Sequence, residues 1–500
     1  MTPSLAAEPP RAPSLWISLI PVVVLVALLA LNVRVFESAD NHVALVLAAG
    51  VAGLLAVFGL KKPWKEIEAG IVHSITMALQ AVFILMVVGM LIGAWIEAGI
   101  VPQLIVWGLE IISPDVFVVT ACLVCCVVSL ATGSSWTTAG TVGVALMGVG
   151  HTLGIDVGLV GGAVVSGSYF GDKMSPLSDT TNLAPAMAGS TLIEHIKHMV
   201  WTVTPALAIS LVLYAILGRS HGSDAHGLDR VDATVAVLGD HFNLSPWLAL
   251  PPLLVLVLVA TRVPAIPALL LGTFAAVGLG LCFRTPGESG VLGMLGASFG
   301  TLFGGYTIQA AAAIPAGAEH ELQRAAAATV DSLLDGRGGM KSMMGTVALI
   351  FCALAFGGVM ERSGMLGSIA NSILRLVRGT GSLVTATIVT CFGVNVLASD
   401  QYMAIVVPGR MFRTAFLERR LHPKNLSRAL EDSGTVTSAL IPWNTCGAQM
   451  TMVLGVATAA YAPYAFLNWI CPLMSIFYGF TGISMTRISD AEAKERLAAG

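Results

Sequence analysis

The stretch from 167 to 190, GSYFGDKMSPLSDTTNLAPAMAGS, constrains this chain more than any other. Asp172, Lys173 and Asp179 stand there inside apolar flanks, with hydroxyls at Ser175, Ser178, Thr180 and Thr181 and an amide at Asn182. Pro176 and Pro185 each remove a backbone donor, so a helix through this run is expected to break. The flanks belong to a bilayer: the 500-residue chain is 56% hydrophobic and only 11% charged, against roughly 25% charged in soluble domains. At membrane depth, broken backbone is tolerated only where it is buried in protein or lines a cavity. Ionisable groups there mark an ion or substrate path. The stretch therefore reads as the heart of an ion site.

The net charge of -3 resides mostly in loops and carries no nucleic-acid signal. Of eight cysteines, Cys122, Cys125 and Cys126 form a CxxC inside the apolar run VFVVTACLVCCVVSL. Without polar support they read as small helix residues rather than a metal or redox pair. The N-terminal apolar run lacks a clear cleavage site and reads as a retained first helix.

Charge patterning orders the spans. Residues 16–33 and 43–60 are apolar and long enough to cross a ~30 Å core at ~1.5 Å per residue. The following KKPWKE, with Lys61, Lys62 and Lys65, puts that loop and the N-terminus in the cytoplasm by the positive-inside rule. A helix from about 70 to 96 then leads out. The run 116–143 is flanked on both sides by stretches without Lys or Arg and is interrupted at Thr132–Ser135. It reads as a re-entrant hairpin with arms of about 12 residues, each ~18 Å long. The signature helix, about 157–190, returns to the inside, and 199–217 leads out again. Residues 246–261 and 265–283 form a linking pair, and 317–335 is an amphipathic, interfacial helix.

The second half repeats the first. Ser134-Ser135 aligns with Ser399-Asp400 at an offset of 265, and the same offset pairs Gly99 with Gly364 and Asp179-Thr180 with Asn444-Thr445. The flanking charges are reversed: Arg362, Arg375 and Arg378, then Arg410, Arg413, Arg419, Arg420, Lys424 and Arg428, surround the second hairpin at 381–408. The expected fold class is an all-α polytopic membrane protein with inverted repeats, two re-entrant hairpins and two broken transmembrane helices, the plan of secondary transporters. The divisions are 1–69 (tail and two helices), 70–218 (first repeat), 219–337 (extracytoplasmic loop and linking helices), 338–484 (second repeat) and 485–500 (cytoplasmic tail). Ten crossings and two hairpins result.

The four interruptions concentrate oxygen ligands, which suit a hard cation such as Na+. Asp172 and Asp179 are the candidate ion carboxylates. Ser175, Ser178, Thr180, Thr181 and Asn182 accompany them, with Ser134 and Ser135 at the first hairpin tip. Asn395, Ser399 and Asp400 stand at the second tip, and Asn444 and Thr445 at the second helix break. Lys173 is a candidate counter-charge, and Asp432 a candidate on a proton path. Glu194, His195 and His198 read as a solvated interfacial patch with a pH-sensing option rather than a metal site, and no transition metal is expected. A buried carboxylate that holds either H+ or Na+ makes antiport by competition.

The string GDKMSPLSDTTNLAP resembles the signature of the NhaC-type sodium/proton antiporter family, within the ion-transporter superfamily. TGSSWTTAGT (132–141), GGMKSM (338–343) and IPWNTCGA (441–448) are similar to further parts of that family's pattern. The resemblance implies a multi-pass inner-membrane Na+/H+ antiporter, not an enzyme, with Na+, H+ and the bilayer as partners and a homodimer as a candidate assembly. The family also contains organic-acid exchangers. A malate/lactate-type exchanger is therefore the alternative, disfavoured by the lack of an arginine inside either break.

Overall fold

The computed structural model describes residues 13–34, 41–111, 114–219, 226–261, 263–283, 290–314 and 321–498. The extreme N-terminal tail and the loop acids Glu37, Asp40 and Asp224 lie outside them. The chain is helical throughout this range; the only β features among the described residues are isolated bridges, Tyr306–Arg337 and Leu421–Arg487.

Two apolar helices lead in, α1 (Leu15–Arg34) and α2 (His42–Leu54), followed by the long α3 (Trp64–Glu97) and α4 (Ile100–Ile111). Next come α5 (Phe117–Thr132), α6 (Ser135–Thr138) and α7 (Val144–Thr152), with a π-turn at Ala139–Gly143 between the last two. The signature stretch forms α8 (Val157–Met174) and α9 (Asp179–Ala188). Linking elements are α10 (Leu192–Arg219), α11 (His226–His241), α12 (Leu250–Ala260), α13 (Ala265–Phe283), α14 (Gly290–Gly304) and α15 (Glu321–Leu334). The second half builds α16 (Met344–Arg362), α17 (Met365–Leu374), α18 (Thr380–Leu397) and α19 (Gln401–Glu418). It continues with α20 (Pro423–Leu430), which runs into a π-turn at Glu431–Thr435, then α21 (Thr445–Leu454), α22 (Thr458–Tyr461), α23 (Phe466–Thr481) and the tail helix α24 (Asp490–Ala498).

Seven described helices are long and apolar enough to cross a membrane, or eight if the pair Val231–His241 and Pro246–Val259, bent by 93°, is one span. Ten crossings were expected. The difference arises at the two broken helices, where α8 has 18 residues but is too polar to qualify and the pieces around 441–444 are short, and at the short α12 and α23, while α18, expected as a hairpin arm, is one of the seven. The hairpin arms also exceed the expected 12 residues: α5 has 16 and α18 has 18. Apolar side chains such as Trp16, Phe58, Phe274, Leu292 and Phe480 face outward, as a lipid-facing surface requires.

The structural landmarks recur at an offset of 266, one residue from the sequence register. Asp156 and His422 both cap helix starts, and 422 − 156 = 266. The same offset relates Pro176 to Pro442, Ser178 to Asn444 and the left-handed Gly189 to Gly455. Gly99 and Gly364, both left-handed, keep 265. Equivalent helices α3 and α16 lie antiparallel. Lys62 at the start of α3 donates to the Arg362 carbonyl at the end of α16 (2.9 Å), while Gly89 near the end of α3 accepts from Gly339, ahead of α16 (2.6 Å).

The signature helix sits deepest. A Cβ at Gly167 would collide with the Cys122 carbonyl, and one at Gly171 with the backbone of Ser129 and Leu130. Glycine four residues apart thus lets α8 and α5 approach backbone to backbone, as small-residue interfaces do in membranes. Cys122, Cys125 and Cys126 are buried on the facing side, which is the packing role the sequence implies. Pro176 marks the break, but Pro185 lies within α9 without ending it. One lost donor in that helix is tolerated, and the Pro185 carbonyl itself accepts from Gly189 and Ser190 (2.8 and 3.0 Å).

Candidate functional site

At the first break, α8 stops because Pro176 cannot continue the hydrogen-bond ladder, and the freed groups find side chains. Thr181 donates to the carbonyls of Asp172 and Lys173 (2.8 and 2.9 Å). Asn182 donates to those of Pro176 and Ser178 (2.9 and 2.7 Å). The Ser175 hydroxyl accepts from the Leu177 amide at 3.3 Å. These three residues hold the backbone of the break, with their side-chain groups engaged by it.

Asp172 is buried at the end of α8 and accepts two hydroxyls, Ser135 at 2.6 Å and Ser178 at 2.7 Å. Ser135 comes from the first hairpin tip and Ser178 from the helix break, so the carboxylate joins two interruptions of the chain. Ser178 occupies the N-cap position of α9 but spends its hydroxyl on Asp172 instead of on capping. Ser134, the neighbour of Ser135, is a conventional cap, accepting from the Thr137 amide at 3.2 Å. A hydroxyl can donate or accept, so Ser135 and Ser178 can turn from donors to the carboxylate into ligands of a cation beside it.

The second half contributes a carboxylate that sequence reasoning missed. Ser178 contacts the Thr180 hydroxyl at 3.1 Å, and Thr180 donates to Glu431 at 3.0 Å. Glu431 is fully buried, and its second carboxyl oxygen has no hydrogen-bond partner among the described residues. Among those residues, neither Asp172 nor Glu431 has a basic group within ion-pair distance. The signal was present: Glu431-Asp432 is an acidic pair inside a broken apolar helix, and intramembrane acids are functional by default.

Lys173 and Asp432 form a buried ion pair between the two halves. Thr202 donates to the same Asp432 oxygen at 2.9 Å, and Arg428 lies 3.9 Å from the other. Arg428 in turn donates to Ser484 at 2.6 Å and stacks over Tyr478. Lys173 therefore has a permanent partner, and Asp432 is tied to that cation.

Asp179 does not join Asp172 as a second buried carboxylate. It starts α9 on an exposed face, with Tyr402 at 3.5 Å.

The second break is neutral. Asn444 caps α21 through the Cys446 amide (3.0 Å) and donates to the Asn395 carbonyl and side-chain oxygens (3.1 and 3.0 Å). Asn395 donates to the Gly434 carbonyl and to Thr437 (2.8 and 3.0 Å). Thr445 donates its amide to the Ser399 carbonyl at 3.0 Å. Asp400 is buried and caps α19 through Met403 at 2.9 Å, next to a small cavity also lined by His73, Ser74 and Glu361. Asn395, Ser399, Asn444 and Thr445 are thus brought together, while Asp400 faces α3 and α16.

The histidines are not a solvated patch. His195 and His198 are buried and contact Ser427 (2.9 Å) and Asn425 (3.2 Å) of α20. Among the described residues, no group of three His, Cys, Asp or Glu side chains could hold a metal ion.

The profile of the Na+/H+ antiporter family matches residues 167–483, which carry both helix breaks. The chain is 38% identical over 451 residues to the Na+/H+ antiporter NhaC of Alkalihalophilus pseudofirmus, covering 89% of this chain and 91% of that one. It is 38% identical over 442 residues to NhaC of Bacillus subtilis, covering 88% and 92%. It is also 33% identical over 473 residues to a malate-2H+/Na+-lactate antiporter of B. subtilis, covering 94% and 96%. Matches of this extent place the chain in the Na+/H+ antiporter family.

Proposed function

We propose that this chain exchanges cytoplasmic Na+ for external H+ by competition at Asp172. One observation carries the reading: Asp172 is buried without a cationic partner and faces two reorientable hydroxyls from separate breaks. A buried, unpaired carboxylate is costly unless it takes up a proton or a cation. Ser135 and Ser178 would complete the Na+ shell, and Asp179 and Thr180 would serve the approach. Glu431, linked through Thr180, would pass the proton. The Asn395–Asn444 cluster with Ser399 and Thr445 would hold the second break in shape.

The antiparallel α3–α16 pair and the common offset of the caps support an inverted repeat, with 70–218 and 338–484 as its halves. They fit a multi-pass protein of the inner membrane with both termini in the cytoplasm. Single cysteines at Lys62 and Arg420 should then label from the cytoplasm and one at Asp240 from outside. Labelling of 240 and 420 from one side would remove the inverted orientation.

The second reading, Na+- or H+-coupled exchange of a small organic acid, is favoured only by the malate/lactate relative. Proteoliposomes with an acidic lumen separate the two. Under the antiport reading, Na+ alone outside dissipates the pH gradient. If Na+ alone does nothing and malate or lactate restores flux, the organic-acid reading takes its place.

A further inference from the structure

A cavity of about 260 Å3 shares no residue with the cation site. It lies between α3, α4, α7, the segment joining α15 to α16, and the end of α21. Its walls are aliphatic and thioether side chains such as Ile105 and Met147, with hydroxyls at Ser342 and Thr451. The single charged residue in its lining is Arg337.

Arg337 is fixed by its backbone and left open at its side chain. Its amide donates to the Leu334 carbonyl (3.4 Å) and its carbonyl accepts from Tyr306 (2.9 Å). The guanidinium lies so close to Gly455, the left-handed residue that ends α21, that a Cβ there would overlap it. A cation at a helix end ordinarily donates to the last carbonyls. Here no described residue accepts a hydrogen bond from the guanidinium or pairs with it. The acids nearest in sequence are engaged elsewhere: Asp331 accepts the amides of Ala310 and Ala311 (2.6 and 2.9 Å), and Asp335 that of Ile308 (2.9 Å). The Arg337 guanidinium, with its five donors, therefore stands in the wall of an apolar cavity with no acceptor among the described residues.

We infer that this cavity binds a small organic monocarboxylate, its carboxylate paired with Arg337 and its hydrocarbon body against the apolar walls. One guanidinium balances one negative charge, and its planar fork suits a carboxylate bidentately. The volume, at ~30 Å3 per water in the liquid, admits a molecule of a few carbon atoms and no nucleotide. Binding here is independent of the Na+/H+ reading and is read separately from it.

The test is the thermal stability of the purified protein titrated with choline lactate against choline chloride at equal ionic strength, without Na+. Lactate should stabilise saturably and chloride should not. Arg337→Gln should abolish the response while still exchanging Na+ for H+ in proteoliposomes, which shows that it is folded. Arg337→Lys should weaken lactate at least about tenfold, because an ammonium cannot reproduce the fork. Should Arg337→Gln fail to fold, Met147→Trp, at another lining position, fills the cavity with the guanidinium in place, and should abolish the response equally. No saturable response in the unmodified protein, an equal response to chloride, or one that survives Arg337→Gln or Met147→Trp overturns the inference. Loss of Na+/H+ exchange in the unmodified protein would instead count against the proposed function alone.

Discussion

The two helix breaks share a backbone and differ in chemistry. Each stops at a proline, Pro176 or Pro442, and restarts in a ten-residue helix ended by a left-handed glycine. At the first, the N-cap hydroxyl of Ser178 is diverted to Asp172. At the second, Asn444 performs its cap and closes an amide network with Asn395 that leaves no charge. The first break holds a buried carboxylate, and the second is satisfied by neutral groups. The buried acids of the second half, Glu431 and Asp432, instead lie about three turns before Pro442, at the π-turn from Glu431 to Thr435, and reach across to the first break. Such π-turns often mark functional sites. The two breaks share their backbone geometry, while the buried carboxylates meet at the first one only, from both halves of the chain.

If that asymmetry is right, Asp172→Asn has the largest effect, abolishing Na+-driven proton flux in proteoliposomes while leaving insertion intact. Glu431→Gln slows the same flux but keeps Na+ binding. An Asn444→Asp variant that rescued Asp172→Asn would break the comparison, because the two breaks would then be interchangeable.

Next in size is Lys173→Met, which leaves Asp432 in the interior with Thr202 at 2.9 Å and Arg428 only at 3.9 Å. A broken buried pair costs about 3–5 kcal/mol, so thermal unfolding should fall sharply. The double variant Lys173→Met with Asp432→Leu should regain most of that loss. A double variant as unstable as the single one would show that the pair does more than balance charge.

These residues show what the sequence could reveal. The interruptions of the helices at 132–135, 175–178 and 441–444 were legible, because prolines, glycines and acids are conspicuous in an apolar chain, and the candidates Asp172, Ser135 and Ser178 meet in the structure. The different environments of Asp172, buried as expected, and Asp179, exposed, were not. They depend on which face of a restarted helix meets its neighbours, and the break destroys the helical phase needed to carry that forward. The Lys173–Asp432 pair was illegible for another reason: its members are 259 positions apart. The offset of 265 misaligned the breaks by one residue because identities were matched where caps correspond. Pro176 with Pro442 would have given 266.

Asn444→Ala should cost about 1–3 kcal/mol, the penalty of leaving Asn395 and a helix cap unsatisfied, and exchange should survive in the folded fraction. Loss of Na+ affinity in a stably folded Asn444→Ala protein would assign the second break to the ion shell. The smallest effect is expected for Asp179→Asn, within about 0.5 kcal/mol in stability as for exposed sites, with a modest fall in apparent Na+ affinity. Abolished exchange in that variant would move the site to the exposed face of α9.

Competition at one carboxylate has a direct signature in the absence of any membrane gradient. Purified protein in weakly buffered solution, given Na+ at fixed ionic strength, should release protons, and its apparent Na+ affinity should weaken as pH falls. Asp172→Asn should release none. Undiminished proton release from Asp172→Asn, or a Na+ affinity independent of pH in the unmodified protein, would contradict exchange at Asp172.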